Sequence, residues 1–175
     1  MDQSHRTEAN FAESALTHLD AEGRAVMVDV GDKPVTARVA VAEGVVRIGG
    51  ELEAAIRANA VAKGPVLETA RLAGIMAAKR TDELVPLCHS LALDAIELDL
   101  QLEPGQVRVE ATVRSHGRTG VEMEALVAVS VACLTIIDMG KAIDRGMVIE
   151  RVRVLEKRGG RRGDYRADRT GDSLP

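Results

Sequence analysis

Two periodicities organise the chain. Ile96, Leu98, Leu100 and Leu102 alternate with Glu97, Asp99, Gln101 and Glu103, and Val107, Val109, Ala111 and Val113 alternate with Arg108, Glu110, Thr112 and Arg114. A period of two puts one side of a strand in a core and the other in water. Pro104-Gly105 between the runs therefore predicts a hairpin with acidic and basic residues on the exposed faces of its strands. Arg24 to Val30 and Val35 to Val41 carry enough Val and alternation for two more strands, joined by the turn-like Gly31-Asp32-Lys33-Pro34. Helical spacing appears in Glu51 to Ala60, with Leu52, Ala55 and Ile56 on one face. It appears again from Val66 to about Lys79, where Leu67, Ala70, Arg71 and Gly74 recur behind a Pro65 suited to the first helical position. Val121 to Asp144 predicts a long helix stopped near Gly146, and Met147 to Leu155 a closing strand. Strand, helices, hairpin, helix, strand is the βαββαβ order of a ferredoxin-like α+β sandwich, here with extra N-terminal strands.

Residues 16–158 hold no repeat, low-complexity tract or linker, so a single catalytic domain is expected there. Residues 1–15 read as a disordered N-terminus and 159–175, beginning Gly159-Gly160-Arg161-Arg162, as a flexible Gly/Arg-rich tail. A content of 46% hydrophobic and 29% charged residues suits a soluble globular chain. The longest apolar run, Ala125 to Ile137, is shorter than the roughly 20 residues of a membrane helix, so no membrane partner is expected. No apolar segment follows the opening Met-Asp-Gln-Ser-His-Arg, which makes the cytoplasm the expected compartment. Cys88 and Cys133 fit neither a disulfide framework nor a metal-ligand spacing; both read as reduced, and no metal is assigned. A net charge of -4 argues against a generic polyanion-binding surface, though local basic clusters can exist, and with one Tyr, one Phe and no Trp the fold cannot build stacking platforms, so nucleic acid is not expected as a partner.

The candidate chemistry lies where charge interrupts apolar sequence. Asp138 and Lys141 share a helix face three residues apart and end the most apolar stretch, where desolvation would tune both for proton transfer; a plain surface ion pair is the competing reading. Glu122 and Glu124 open the same helix, where acidic residues also suit the macrodipole. Glu124 and Asp138 fall within about 40° on the helical wheel but about 21 Å apart along the axis. One small substrate cannot touch both within one subunit, so a shared site would need a second copy. His89, after Val85-Pro86-Leu87-Cys88, is a proton-transfer candidate or a hydrogen-bonded structural histidine. Lys63-Gly64 ahead of a helix could meet a phosphate with backbone N–H groups and an ammonium. Lys33, Arg38, Lys79, Arg80, Lys141 and Lys157 would add cations for a triphosphate if the fold gathers them. A helix apolar on both faces predicts an oligomer.

Met27-Val28-Asp29-Val30, Lys63-Gly64, Ala70 to Ile75, Ala77-Ala78-Lys79-Arg80-Thr81, Leu84 to His89, Thr119 to Leu126 and Asp138-Met139-Gly140-Lys141-Ala142 follow in an order that resembles the cyclic pyranopterin monophosphate synthase family of molybdenum cofactor biosynthesis. The resemblance covers roughly Leu16 to Arg166. It implies a ferredoxin-like subunit in a hexamer, a trimer of dimers with active sites at subunit interfaces. The implied reaction rearranges a cyclised GTP derivative, made by a partner radical S-adenosylmethionine enzyme, into cyclic pyranopterin monophosphate with release of pyrophosphate. It further implies a catalytic Asp138, Lys141 and Lys63, with Leu87, Cys88, His89, Met123 and Glu124 contacting substrate and Lys33, Arg38, Lys79 and Lys157 serving its phosphates. No cofactor is implied beyond a Mg²⁺ ion that could travel with the triphosphate. Ser90 departs from a Pro usual after Cys-His, Pro65 from an Asp usual after Lys-Gly, and Gly159-Gly160-Arg161-Arg162 from a Lys-containing tail. A non-catalytic oligomer sensing a nucleotide-like ligand is the reading to be separated from this one.

Overall fold

The computed structural model describes residues 22–160 and 163–168. The hairpin is built from β2 (Ala95–Glu103) and β3 (Gln106–Gly117), closed by the pair Glu103 and Gln106. Gly105 takes a φ of +73° at the turn, a conformation a side chain would resist. Glu53 accepts the Gly105 amide at 2.8 Å and so ties the turn to helix α1 (Gly50–Arg57). Strand β1 (Thr36–Arg47) pairs along its whole length with β3 on one edge and, from Val39 to Arg47, with β4 (Val148–Arg158) on the other. A two-residue β5 (Tyr165–Arg166) completes the sheet in the order β2-β3-β1-β4-β5, with every neighbour antiparallel. Helices α2 (Val66–Ala78), α3 (Thr81–Leu84) and α4 (Glu122–Gly140) complete the α+β ferredoxin-like arrangement.

Four expectations about the elements change. Arg24 to Val30, read as an extra N-terminal strand, is extended chain with only an isolated bridge at Ala25, and the backbone carbonyl of Val28 is taken by His89 instead of a ladder. The first strand of the fold is β1, which runs past Val41 to Arg47. Helix α1 stops at Arg57, before Ala60, because Asn59 adopts a left-handed φ of +49°. Helix α4 ends at Gly140, not Asp144; the Asp144 carboxylate accepts the Gly49 amide at 2.7 Å, close to the start of α1. The residues read as a disordered N-terminus lie outside those described. Of the segment read as a tail, Gly159 and Gly160 lie beside β4 and Tyr165–Arg166 pair with it.

The core forms because both long helices cover one face of the sheet. Leu52, Val107, Val109, Val113, Val129 and Ile136 are fully buried there, each worth ~1.5–3 kcal/mol of transfer free energy. Small residues set the spacing. A Cβ at Gly44 would lie 2.4 Å from Val129 Cγ1, and one at Gly74 would lie 2.8 Å from the Ala128 carbonyl, so α4 approaches both β1 and α2 at backbone distance. By length and composition α4 could cross a membrane, but half of it is buried in this core. On the opposite face of the sheet Glu43 is only 4% exposed, and Arg153 at 2.8 Å, Arg151 at 3.1 Å and Arg108 at 3.8 Å surround its carboxylate. A charge so enclosed is tolerable because three guanidinium groups replace its water.

Candidate active site

Most of the candidate site residues gather at the two ends of α4. At the N-terminal end a cleft of about 1000 Å³ opens between the entry to α4, the start of β1, the end of β4 and two connections. One connection, Val28 to Pro34, brings Val28, Val30 and Lys33; the other, after α3, brings Val85, Leu87, Cys88, His89 and Leu91. Five cationic side chains (Lys33, Arg38, Arg118, Lys157 and Arg158) face two carboxylates, Glu122 and Glu124, so the cleft favours an anion.

Local chemistry fixes several of these groups. His89 Nε2 lies 2.8 Å from the Val28 carbonyl, which can only accept, so Nε2 carries the hydrogen and Nδ1 of the neutral ring remains an acceptor. Glu124 is buried, 4% exposed, and burial pushes its carboxyl above the usual range, with Glu122 and Asp82 adding to the rise. Burial likewise raises the Cys88 thiol, helped by Glu124 and Asp82, which keeps it a neutral thiol. Ser90 donates to the Asp82 carboxylate and ties the His89 connection to α3. Lys157 pairs with Glu122 at 3.2 Å. Arg38, 9% exposed, reaches the Gly117 carbonyl at 3.4 Å beneath Gly160, whose φ of +95° brings the backbone so close that a Cβ would lie 1.9 Å from Arg38 Nη1.

The C-terminal end of α4 carries the second group. Asp138 accepts from Lys63 at 2.6 Å on Oδ2 and from Lys141 at 2.7 Å on Oδ1, while the Lys63 ammonium also meets the Asp138 backbone carbonyl at 2.8 Å. That carbonyl is one of those a helix end leaves without an internal acceptor role. The hydrogen bonds from Lys141 and then Lys63 hold the Asp138 carboxyl at about 2, so it is ionised throughout the neutral range. All three side chains are about half exposed, at 47% for Lys63, 56% for Asp138 and 61% for Lys141, and are open to a ligand.

Of the residues singled out from the sequence, Leu87, Cys88, His89, Met123, Glu124, Lys33, Arg38 and Lys157 line the cleft, and Lys63, Asp138 and Lys141 meet at the far end of α4. Lys79, the C-cap of α2, does not line the cleft. Arg118, Arg158 and Thr36 line it without having been singled out, and Val28 and Val30, quoted only within the Met27-Val28-Asp29-Val30 motif, form its aliphatic wall; Arg118 carried a readable signal, as a cation just before the Thr119-Gly120 helix entry. Among the described residues no three His, Cys, Asp or Glu side chains converge on a point where a metal ion could sit.

A model of the MoaC family matches residues 27–160. A protein of Novosphingobium aromaticivorans named cyclic pyranopterin monophosphate synthase is 57% identical over 152 residues, spanning 87% of this chain and 97% of that protein. A protein of the same name from Parvibaculum lavamentivorans is 56% identical over 159 residues, 90% of this chain and 99% of that protein.

Proposed function

The chain belongs to the MoaC family, and from that premise we propose that it is a cyclic pyranopterin monophosphate synthase of molybdenum cofactor biosynthesis. Its substrate would be the cyclised GTP derivative supplied by a radical S-adenosylmethionine enzyme, and its second product pyrophosphate. The cleft cations Lys33, Arg38 and Lys157 would hold the triphosphate, with any Mg²⁺ arriving on the phosphates. Burial raises the Glu124 carboxyl, which suits it to proton transfer, and His89 Nδ1 offers an acceptor in the same cleft. Ionised Asp138 orients the Lys63 and Lys141 ammonium groups for proton transfer as the purine-derived ring opens and the pterin closes. A ribose-derived hydroxyl then attacks the α-phosphorus; its new P–O bond replaces the bond to pyrophosphate, and the cations take up the charge on the leaving group.

The observation that carries this reading is the separation of the two groups. Glu124 and Asp138 are about 21 Å apart along α4, too far for one substrate. The reading therefore needs a second copy that lays its own Lys63, Asp138 and Lys141 against this cleft. The helix layer supports it: Leu72 is 59% exposed, Met76 54% and Leu134 57%, an apolar surface suited to a second copy running antiparallel. Three such pairs would form the hexamer, working in the cytoplasm. Binding without turnover, as in a ligand sensor, would need neither the lysines nor their shared carboxylate.

Mixing tests the shared site. Lys141→Ala and Glu124→Gln should each lose two to three orders of magnitude in turnover, about 3–4 kcal/mol of transition-state stabilisation. Subunit exchange between the two variants places an intact cleft beside an intact Lys63–Asp138–Lys141 group in some pairs, with about one quarter of sites restored by random pairing. No recovery after verified exchange overturns the shared site. If the unaltered protein releases no pyrophosphate from the cyclised substrate, the enzymatic reading fails.

A further inference from the structure

Arg118 stands on the connection from β3 to α4, across the cleft from the Gly31-Asp32-Lys33-Pro34 turn. Its Nε donates to the Lys33 backbone carbonyl at 3.1 Å. Among the described residues its guanidinium has no other bonded acceptor, and the side chain is exposed while lining the cleft. Three of the other four cleft cations differ. Lys157 is taken up by Glu122, Arg158 by Glu156, and Arg38 is buried beneath Gly160. The Lys33 ammonium, like the terminal nitrogens of Arg118, has no carboxylate partner among the described residues. One edge of the Arg118 guanidinium is therefore committed to the backbone of the turn that carries Lys33, and the other edge is left as a planar pair of donors.

We infer that Arg118 is a further phosphate-binding residue of this site and that it also positions Lys33, the two forming one receptor for a terminal pyrophosphoryl group. The inference rests on the proposed reading of the cleft as a triphosphate site and deepens it. A guanidinium anchored through Nε presents Nη1 and Nη2 in a fixed plane, which matches two phosphate oxygens in a way an ammonium cannot. Tethering the turn at the carbonyl of Lys33 itself means that loss of Arg118 frees the neighbouring cation as well.

The test measures pyrophosphate binding by titration calorimetry on the full chain, with steady-state turnover alongside, for Arg118→Ala, Arg118→Lys, Lys33→Ala and the Lys33→Ala/Arg118→Ala pair. Arg118→Ala is expected to weaken pyrophosphate binding ~10-fold or more and to raise KM more than it lowers kcat. Arg118→Lys should recover only part of the affinity, since it restores charge but not the fork. In the Lys33→Ala background the Arg118→Ala penalty should shrink to about two- to threefold, because the tether no longer has a cation to place. Unchanged affinity in a folded Arg118→Ala protein overturns the binding role, full recovery by Arg118→Lys overturns the fork, and equal penalties in both backgrounds overturn the tether. If the unaltered protein itself fails to bind pyrophosphate, the reading of the cleft falls; binding by the unaltered protein with no loss in Arg118→Ala defeats this inference alone.

Discussion

Gly44→Ala puts a methyl group where α4 presses on the centre of the sheet. Its carbon would stand 2.4 Å from Val129 Cγ1 and 2.8 Å from Cys133 Sγ, where carbon atoms settle at about 3.5–4.0 Å. Relief requires α4 to retreat by about 1 Å or Val129 to leave its rotamer, and overpacking of this kind costs ~1–3 kcal/mol. For a chain of this length each kcal/mol moves Tm by about 2–4 °C, so the variant should melt roughly 2–12 °C lower. Val129→Ala alone should also destabilise, by ~1–3 kcal/mol, through lost burial and the space left behind. Combined, the added methyl and the vacated space compensate, and the double variant should be at least ~1 kcal/mol more stable than the two separate losses predict. The assay is thermal and urea unfolding followed by far-ultraviolet circular dichroism at one fixed protein concentration, because association would shift the midpoint. Penalties that add, or a Gly44→Ala protein that melts like the parent, would refute close packing of α4 on β1. Pyrophosphate release belongs in the same experiment, since lifting α4 moves Glu124 at one end and Asp138 at the other.

Three further outcomes follow from separate parts of the molecule. Glu43→Gln leaves Arg108, Arg151 and Arg153 facing one another without the carboxylate that separates them; the urea midpoint should report a loss of about 2–4 kcal/mol, below that of a fully enclosed pair because the arginines are partly wet, and an unmoved midpoint would contradict this account. Asp138 has its folded carboxyl at about 2, against an ordinary 3.8, so its contribution to stability is complete above that ordinary value and disappears as pH falls toward 2. Melting curves across that window should be flatter for Asp138→Asn than for the parent, and parallel curves would count against the ion pairs. Gly160→Ala, at a φ of +95° with its Cβ 1.9 Å from Arg38 Nη1, should weaken pyrophosphate binding about tenfold with a much smaller effect on Tm; parental affinity would show that Arg38 does not need that gap.

The hairpin was legible in the sequence because its alternation and its Pro104-Gly105 turn are local, and β2 and β3 lie within a few residues of where those signals place them. Strand β1 was read too short because Glu43-Gly44 interrupts its Val-rich run. The arginines that make Glu43 tolerable and the helix that requires Gly44 are distant in sequence. Helix α4 was read too long because Ala142-Ile143 continues its apolar pattern, whereas its end is set where Gly140 presses against Leu52. For the site, Leu87-Cys88-His89 and Met123-Glu124 converge in one cleft, whereas Lys63 and the Asp138/Lys141 pair meet at the other end of α4. The meeting of Lys63 with Asp138, 75 residues apart, was reachable only through the resemblance. Arg158 carried no local pattern, Val28 and Val30 showed only as part of an expected strand and of the Met27-Val28-Asp29-Val30 motif, and the backbone bond that gives Arg118 its place is a tertiary contact.

The optical properties of the molecule follow from β5. Tyr165 is the chain's single tyrosine, there is no tryptophan, and the ring stands half exposed on that two-residue strand beside Lys157. Intrinsic ultraviolet emission therefore reports the seating of one short edge segment and is blind to the aliphatic interior. A fluorescence change on adding an anion would be a label-free readout of the β4 wall, and the same signal would be a misleading measure of global unfolding.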